Sequence, residues 1–214
     1  MAEPPAWIRL EPVAGLGRRY DLAETGYKLK PYPSGGLGHT AIDAALELRE
    51  LASPDDIAHV DVAITKSAAR RYTDKYPQTV ESAKFSGPYL AAYTLVHGAP
   101  MLAAFTEEAL HDEAVRSFAR KVSLVTYAEH ADLLEESPAK VTLTLKDGRK
   151  IERSKYYPTG SVQVPMSPAQ IKAKFDICAA PAIDNSAAEK IYGMLSTLGE
   201  QPSFAEFLPL LRKG

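Results

Sequence analysis

At 214 residues, with 45% hydrophobic and 24% charged side chains, the chain has the composition of a folded protein with one or two cores, not of a disordered segment. Its 25 Lys and Arg stand against 27 Asp and Glu, and a net charge of -2 excludes the basic field that holds a nucleic-acid backbone. Cys178 is the only cysteine, which excludes an internal disulfide and a multi-cysteine metal site and suits a reducing cytoplasm.

The N-terminus, MAEPPAWIRLEP, has no basic region followed by an apolar run. No stretch approaches the roughly 18 uncharged apolar residues of a membrane span, so a soluble, untargeted, cytoplasmic protein is expected. Residues 1–26, rich in Pro, Gly and charge, predict an irregular lead-in to a short strand over 27–32 that stops at Pro31 and Pro33. After Ser34-Gly35-Gly36, apolar Ala41, Ile42, Ala45, Leu46 and Leu48 recur at helical spacing and predict a helix over 40–51, ended by Ser53-Pro54.

Val60, Val62 and Ile64 alternate with polar neighbours, the pattern of a half-buried strand over 59–65. A helix is predicted over 79–96, which Gly87-Pro88 must break or start and Gly98 caps. Thr106 is a plausible N-cap for a helix over 106–121, with Glu107 and Glu108 well placed in its first turn, and 122–127 follows as a strand. Residues 140–145 and 150–155 alternate around Lys146-Asp147-Gly148-Arg149, where Asp-Gly supplies the positive φ values of a hairpin turn. Three helical patterns close the chain, over 167–180, 185–198 and 203–212, the first opened by Ser167-Pro168 as N-cap and N1. Cys178 sits among Ile177, Ala179 and Ala180, where a cysteine is expected to be a small buried hydrophobe. The fold class is α+β: a small mixed sheet with covering helices and a C-terminal helical tail. The chain divides into 1–26, an α+β domain over 27–166, and helices over 167–214.

The densest chemistry lies in Lys28-Leu29-Lys30-Pro31-Tyr32-Pro33-Ser34-Gly35-Gly36-Leu37-Gly38-His39. It sets a cation at a strand end, then a glycine turn, then an imidazole at a helix start. Backbone N–H groups at a helix N-terminus attract anions and a lysine adds a full charge, so the pattern fits a carboxylate, with His39 able to move a proton near neutral pH. The same pattern also describes a plain strand-to-helix turn. His59, His97, His111 and His130 are scattered without ligand spacing, so no metal is expected.

Lys30-Pro31-Tyr32-Pro33, followed by His39 and Ala41-Ile42-Asp43-Ala44-Ala45-Leu46, closely resembles the stretch of the MmgE/PrpD family, that of 2-methylcitrate dehydratase, in which a lysine and a histidine face the substrate. The resemblance continues in order through Ala83-Lys84-Phe85-Ser86-Gly87-Pro88-Tyr89, Asp147-Gly148-Arg149 and Pro158-Thr159-Gly160 to Ser167 and Lys174-Phe175, and covers residues 15–183.

It implies the lid-like α+β part of an enzyme whose active site lies between that lid and a large helical domain. The 167–214 helices are then expected to pack on a helical domain or a partner chain. Lys30 is implied as a substrate-carboxylate ligand or proton-transfer lysine, and His39 as an acid/base or ligand, the alternative being a helix-start residue that bonds its own turn. Ser34, Gly35, Gly36, Lys84, Ser86 and Tyr89 are candidates for substrate binding, although Phe85 and Tyr89 equally suit a core. The implied activity is that of a subunit of a carbon–oxygen lyase acting on small di- or tricarboxylates without metal or organic cofactor. Isomerase or epimerase chemistry, and a non-catalytic interaction module, are the alternatives. Gly35 stands where family decarboxylases carry a second histidine, which argues against decarboxylation. The helical N-terminal half is expected from a separate chain, and self-association is expected as well.

Overall fold

A computed structural model describes residues 17–18, 20–127, 137–200, 203 and 205–211. His130, most of the 1–26 lead-in and parts of the 203–212 tail lie outside the described residues.

Among the described residues four strands form one mixed sheet: β1 (Ile57–Ile64), β2 (Val122–Thr126), β3 (Ala139–Leu145) and β4 (Lys150–Lys155), in the order β2-β1-β3-β4. β1 runs parallel to β2 and antiparallel to β3, and β3 pairs antiparallel with β4. Period-2 alternation decides which side is buried. Val60 and Val62 face Leu143 and Val141 across the β1–β3 ladder and are buried, whereas Lys140, Thr142 and Thr144 of β3 are only half-buried on the other side.

The helices lie on the apolar side. α1 (His39–Arg49) packs over β3 and β4, α2 (Gly87–His97) packs against α1 and β2, and α3 (Glu113–Ala119) packs against α2. Ala44, Ala45, Ala91 and Ala92 give α1 and α2 buried faces of small side chains, which suits close packing of the two helices. Ile42 and Leu48 are buried, each contributing about 1.5–3 kcal/mol relative to exposure. At the rim of this layer Glu47 of α1 pairs with Arg153 and Lys155 of β4, whose side chains leave the sheet on the helix-covered face.

Parallel β1 and β2 require a long crossover, and residues 65–121 supply it with single-turn helices at Lys66–Ala69, Val80–Ala83 and Glu107–Leu110 as well as α2 and α3. The helix expected over 79–96 splits because Ser86 caps a new start, accepting from the Tyr89 amide at 3.2 Å with Pro88 in the first turn. The one expected over 106–121 splits likewise. Thr106 caps the first piece as its type predicts, and Asp112 caps α3 by accepting from Ala114 and Val115 at 2.8 and 3.1 Å.

The hairpin forms where its alternation predicts, but only Gly148 takes a positive φ, +86°, and its amide closes the turn onto the Leu145 carbonyl at 3.0 Å. No strand forms over 27–32. Pro31 has no amide to donate, and the segment is held by the Leu29 amide on the Gly160 carbonyl at 2.8 Å.

α4 (Pro168–Ala179) and α5 (Asn185–Ser196) follow β4. Ser167 and Gln170 close a capping box at the start of α4, with Pro168 at its first position. The two helices hold each other through Phe175 on Tyr192, ring centroids 5.3 Å apart, and through Lys172, which bridges Asp176 and Glu189 at 2.7 and 2.6 Å. α4 buries no residue, so Cys178 is exposed and not the buried hydrophobe its neighbours predict. Ile177, Leu195, Leu198, Leu208 and Leu211 also face solvent. Among the described residues no helix is long and apolar enough to cross a membrane.

Candidate functional site

The turn between residue 34 and α1 is shaped by a tyrosine. Tyr72, from the crossover, donates its hydroxyl hydrogen bond to the Gly35 carbonyl. A Cβ added at Gly35 or Gly38 would stand 2.7 or 2.5 Å from the Tyr72 oxygen, so only glycine admits the ring at both positions. The Gly35 amide donates to the Lys84 carbonyl at 3.0 Å, which fixes the turn on its other side. A 3-10 turn, Gly36–Gly38, then runs directly into α1, and no side chain caps either start.

His39 opens α1 and is only 2% exposed, its ring edge-on to Tyr32 with centroids 5.2 Å apart. The Ser34 carbonyl accepts a hydrogen bond from the ring, while Nε2 is buried without a partner among the described residues. Burial, followed by the positive charges of Lys30 and Lys174, pulls its pKa down from 6.5 to about 4, against the opposing effect of the Ser34 carbonyl. The ring is neutral at pH 7.

One turn further along α1, Asp43 is buried and accepts from two donors: the Tyr32 hydroxyl and the Thr159 amide, each at 2.7 Å. This carboxylate thus ties the segment before the turn to the loop after β4. Gly160 completes the seam. Its φ is +85°, its carbonyl receives the Leu29 amide, and a Cβ there would lie 1.9 Å from the Leu29 oxygen. Burial, and then the charge and hydrogen bond of Asp43, hold the Tyr32 phenol far above its usual pKa.

Between these parts lies a cavity of about 620 Å³, lined by residues 28–31, 35–37, 39, 71–72, 85, 137 and 158–161. Lys28, Lys30 and Arg71 line it, and among the described residues no carboxylate does. Leu29, Leu37, Tyr72 and Phe85 supply apolar and aromatic wall, the mixture a small-molecule site uses to bury a ligand and orient its polar groups. Such a set attracts an anion, and among the described residues no group of three His, Cys, Asp or Glu could hold a metal.

Of the residues singled out by sequence, Lys30, Gly35, Gly36 and His39 come together around this cavity. Ser34 lies buried beside them, its hydroxyl without a partner among the described residues. Lys84 contributes its carbonyl to the turn and does not line the cavity. Ser86 and Tyr89 are fully buried elsewhere: the Ser86 hydroxyl donates to the Lys75 carbonyl at 2.7 Å and caps α2, and Tyr89 donates to the Ala104 carbonyl. These two belong to the core because α2 starts at Gly87 and turns them inward.

Sequence reasoning missed Arg71, Phe85 as a wall residue, and the structural part of Asp43. Arg71 follows a single-turn helix with no motif around it. The contact of Lys174 with the electrostatics of His39 had only one sign, its place in the ordered family pattern.

The model of the MmgE/PrpD C-terminal domain matches residues 32–199. A comparison with curated proteins gives no match. The matched span takes in the turn, α1, the whole sheet and both long C-terminal helices, and the chain belongs to the MmgE/PrpD family, of which it carries the C-terminal domain.

Proposed function

We propose that this chain supplies the lid-like side of a lyase active site of the 2-methylcitrate dehydratase type, acting on small di- or tricarboxylates. The observation that carries this reading is the cavity itself, where Lys30 and a buried imidazole nitrogen share a pocket that, among the described residues, no carboxylate lines and no partner of that nitrogen enters. A carboxylate entering it meets uncompensated positive charge, since Lys30 has no acidic partner among the described residues.

The reaction removes a proton from the carbon next to a carboxylate, and the electron pair left behind expels hydroxide from the neighbouring carbon to form the double bond. Lys30 stabilises the enolate-like charge that develops as the proton leaves. His39 is neutral and its Nε2 has no partner among the described residues, the protonation state a base requires, and it takes that proton. An anionic substrate offsets the fields of Lys30 and Lys174, raising the affinity of the ring for a proton at the moment it is needed. A helical chain or domain like the family's N-terminal half supplies the donor that converts hydroxide to water. No metal or organic cofactor enters this scheme.

The test is a carboxylate-substrate assay on the chain alone and co-expressed with such a helical partner, with size-exclusion chromatography and light scattering on both. Activity in the complex, lost by about 100-fold or more in Lys30→Ala while the melting temperature holds, is the expected result. Exchange of substrate deuterium with solvent and no net loss of water identifies the isomerase alternative. No activity in any assembly with full-length partners leaves the non-catalytic module and refutes the lyase.

A further inference from the structure

We infer that the outer edge of β2 is a docking site for an extended, acidic segment of another protein, which joins the sheet there as an added strand. The inference does not depend on the chemistry of the carboxylate cavity.

The register of β2 settles which of its main-chain groups are spent. The Val60 amide donates to the Lys121 carbonyl at 2.9 Å and the Tyr127 amide to the Ile64 carbonyl at 2.7 Å, so the odd-numbered residues turn their main chain toward β1. Successive residues of a strand alternate, so Val122, Leu124 and Thr126 turn their amides and carbonyls outward, where no strand lies and no partner is met among the described residues. The two edges of the sheet differ in kind. β4 carries Lys150, Glu152, Arg153 and Lys155, the type of side chain by which an edge resists pairing, whereas Val122-Ser123-Leu124-Val125-Thr126 has neither charge nor proline. Val125 is 40% exposed and Thr126 is exposed beside it.

A groove follows this edge. At the Val122 end a cavity of about 360 Å³ is lined by Tyr76, Gln78, Arg116 and Arg120, and at the Thr126 end another of about 360 Å³ is lined by Ala69, Thr73, Leu124 and Val125; Asp74 lines both. The far wall does not satisfy the edge, because the Thr73 amide donates to the Phe85 carbonyl at 2.9 Å and its carbonyl accepts from the Gly87 amide at 3.0 Å. The groove thus offers open main-chain groups on one wall and side chains on the other, the arrangement that holds an added strand. Two arginines against one aspartate bias the Val122 end positive, and Arg120 meets only the exposed Glu113, at 3.7 Å, among the described residues. Carboxylates of the incoming segment therefore belong at that end and apolar side chains at the other. A second copy of the chain matches less well. Antiparallel pairing of β2 with itself would bring the end carrying Arg116 and Arg120 up to the end where the chain leaves β1 for Lys66–Ala69 and the exposed Arg70 and Arg71.

Amide hydrogen exchange on the full chain is the first measurement. In the free protein Leu124 and Thr126 are expected to exchange about 100-fold or more faster than Ser123 and Val125, whose amides face β1. Slow exchange at Leu124 and Thr126 in the free monomer overturns the inference, since the edge is then already covered. The probe is a blocked peptide, Glu-Glu-Thr-Val-Thr-Val-Thr, compared with a copy that begins Lys-Lys and with a copy N-methylated at alternate amides. The Glu peptide at about 1 mM is expected to protect Leu124 and Thr126, the N-methylated copy to give no protection, and the Lys copy to bind about 3- to 10-fold more weakly. Arg120→Glu reverses the preference between the Glu and Lys peptides, and Thr126→Pro, which removes an outward amide and no ladder bond, weakens the Glu peptide about 10-fold or more. No protection by the Glu peptide, or equal protection by the N-methylated one, overturns the added strand without any variant having to fold. Equal binding of the Glu and Lys peptides overturns the acidic partner. Self-association of the wild-type chain that Thr126→Pro abolishes, followed by light scattering, assigns the edge to a second copy and overturns the proposed occupant.

Discussion

Gly148 and Gly160 have almost the same backbone angle, φ +86° and +85°, and very different surroundings. An alanine at either position meets the same intrinsic penalty of the left-handed region, about 1 kcal/mol. At 148 nothing among the described residues lies within 4 Å of the added Cβ, so the penalty is the whole effect. At 160 the Cβ would stand 1.9 Å from the Leu29 carbonyl oxygen, a backbone atom, where carbon and oxygen normally approach no closer than about 3.3 Å. The 158–161 loop must then move away by more than about 1 Å, and two hydrogen bonds cross that gap. The Leu29 amide on the Gly160 carbonyl, at 2.8 Å, contributes about 1 kcal/mol, and the Thr159 amide on the buried Asp43 carboxylate, at 2.7 Å, about 2 kcal/mol. Gly160→Ala is therefore expected to destabilise by about 4 kcal/mol against about 1 kcal/mol for Gly148→Ala. In a chain of this size these correspond to falls in Tm of about 10 °C or more and about 3 °C. Urea and thermal unfolding of both variants measure the difference, and amide exchange at Leu29 reports whether the seam has opened. Equal destabilisation of the two variants would refute the reasoning, because it would mean that the loop can shift without losing either bond.

Three further outcomes are expected. His39 is held neutral in the fold with a pKa of about 4 against 6.5 unfolded, so between these values the unfolded chain binds the extra proton and stability falls as pH drops. The loss between pH 6.5 and 4 is about 3 kcal/mol, absent in His39→Gln, and parallel unfolding curves for the two proteins across that range would contradict it. Asp43→Asn keeps one acceptor for two donors and presents an amide N–H to the other, costing about 2 kcal/mol by denaturant midpoint, and an unchanged midpoint would show that the buried carboxylate is not needed. Ser86→Ala removes the α2 cap and the bond to Lys75, lowering stability by about 1–2 kcal/mol while binding of a tricarboxylate such as citrate, followed by isothermal titration, stays unchanged; a binding loss in a folded Ser86→Ala protein would return that residue to the site.

The sequence was most informative where one physical rule acted alone. Val60, Val62 and Ile64 on one strand and Val141, Leu143 and Leu145 on another alternate without interruption, and both became the buried side of the sheet. Ser167-Pro168 and Thr106 carry capping chemistry that needs nothing beyond the next turn of chain. Legibility failed where two rules competed or where the decisive neighbour was remote. The apolar spacing over 79–96 favoured one helix, and the capping power of Ser86 with Pro88 behind it overrode that spacing, which moved Ser86 and Tyr89 from the expected cleft into the core. Cys178 has apolar neighbours in sequence, yet none of the residues of α4 is buried. Lys30 and His39 were found by a local signature, whereas Arg71 reaches the cavity only because Tyr72 docks on a turn 37 residues away. No window along the chain contains that contact.

The cavity is sewn from distant stitches. Tyr72 reaches back 37 residues to Gly35, Thr40 donates to the carbonyl of Ser137 across 97, and Thr159 meets Asp43 across 116. A ribosome working at about 5–20 residues per second delivers Asp43 and then makes it wait roughly 6–23 s for Thr159, over the 116 residues between them. During that interval the nascent chain already displays the lysine, the glycine turn and the histidine by which a reader would recognise it, but their enclosing wall has not yet been made. The signature is thus early in synthesis and the pocket late, and a chain halted after residue 39 but short of residue 161 carries the motif without its complete enclosing wall.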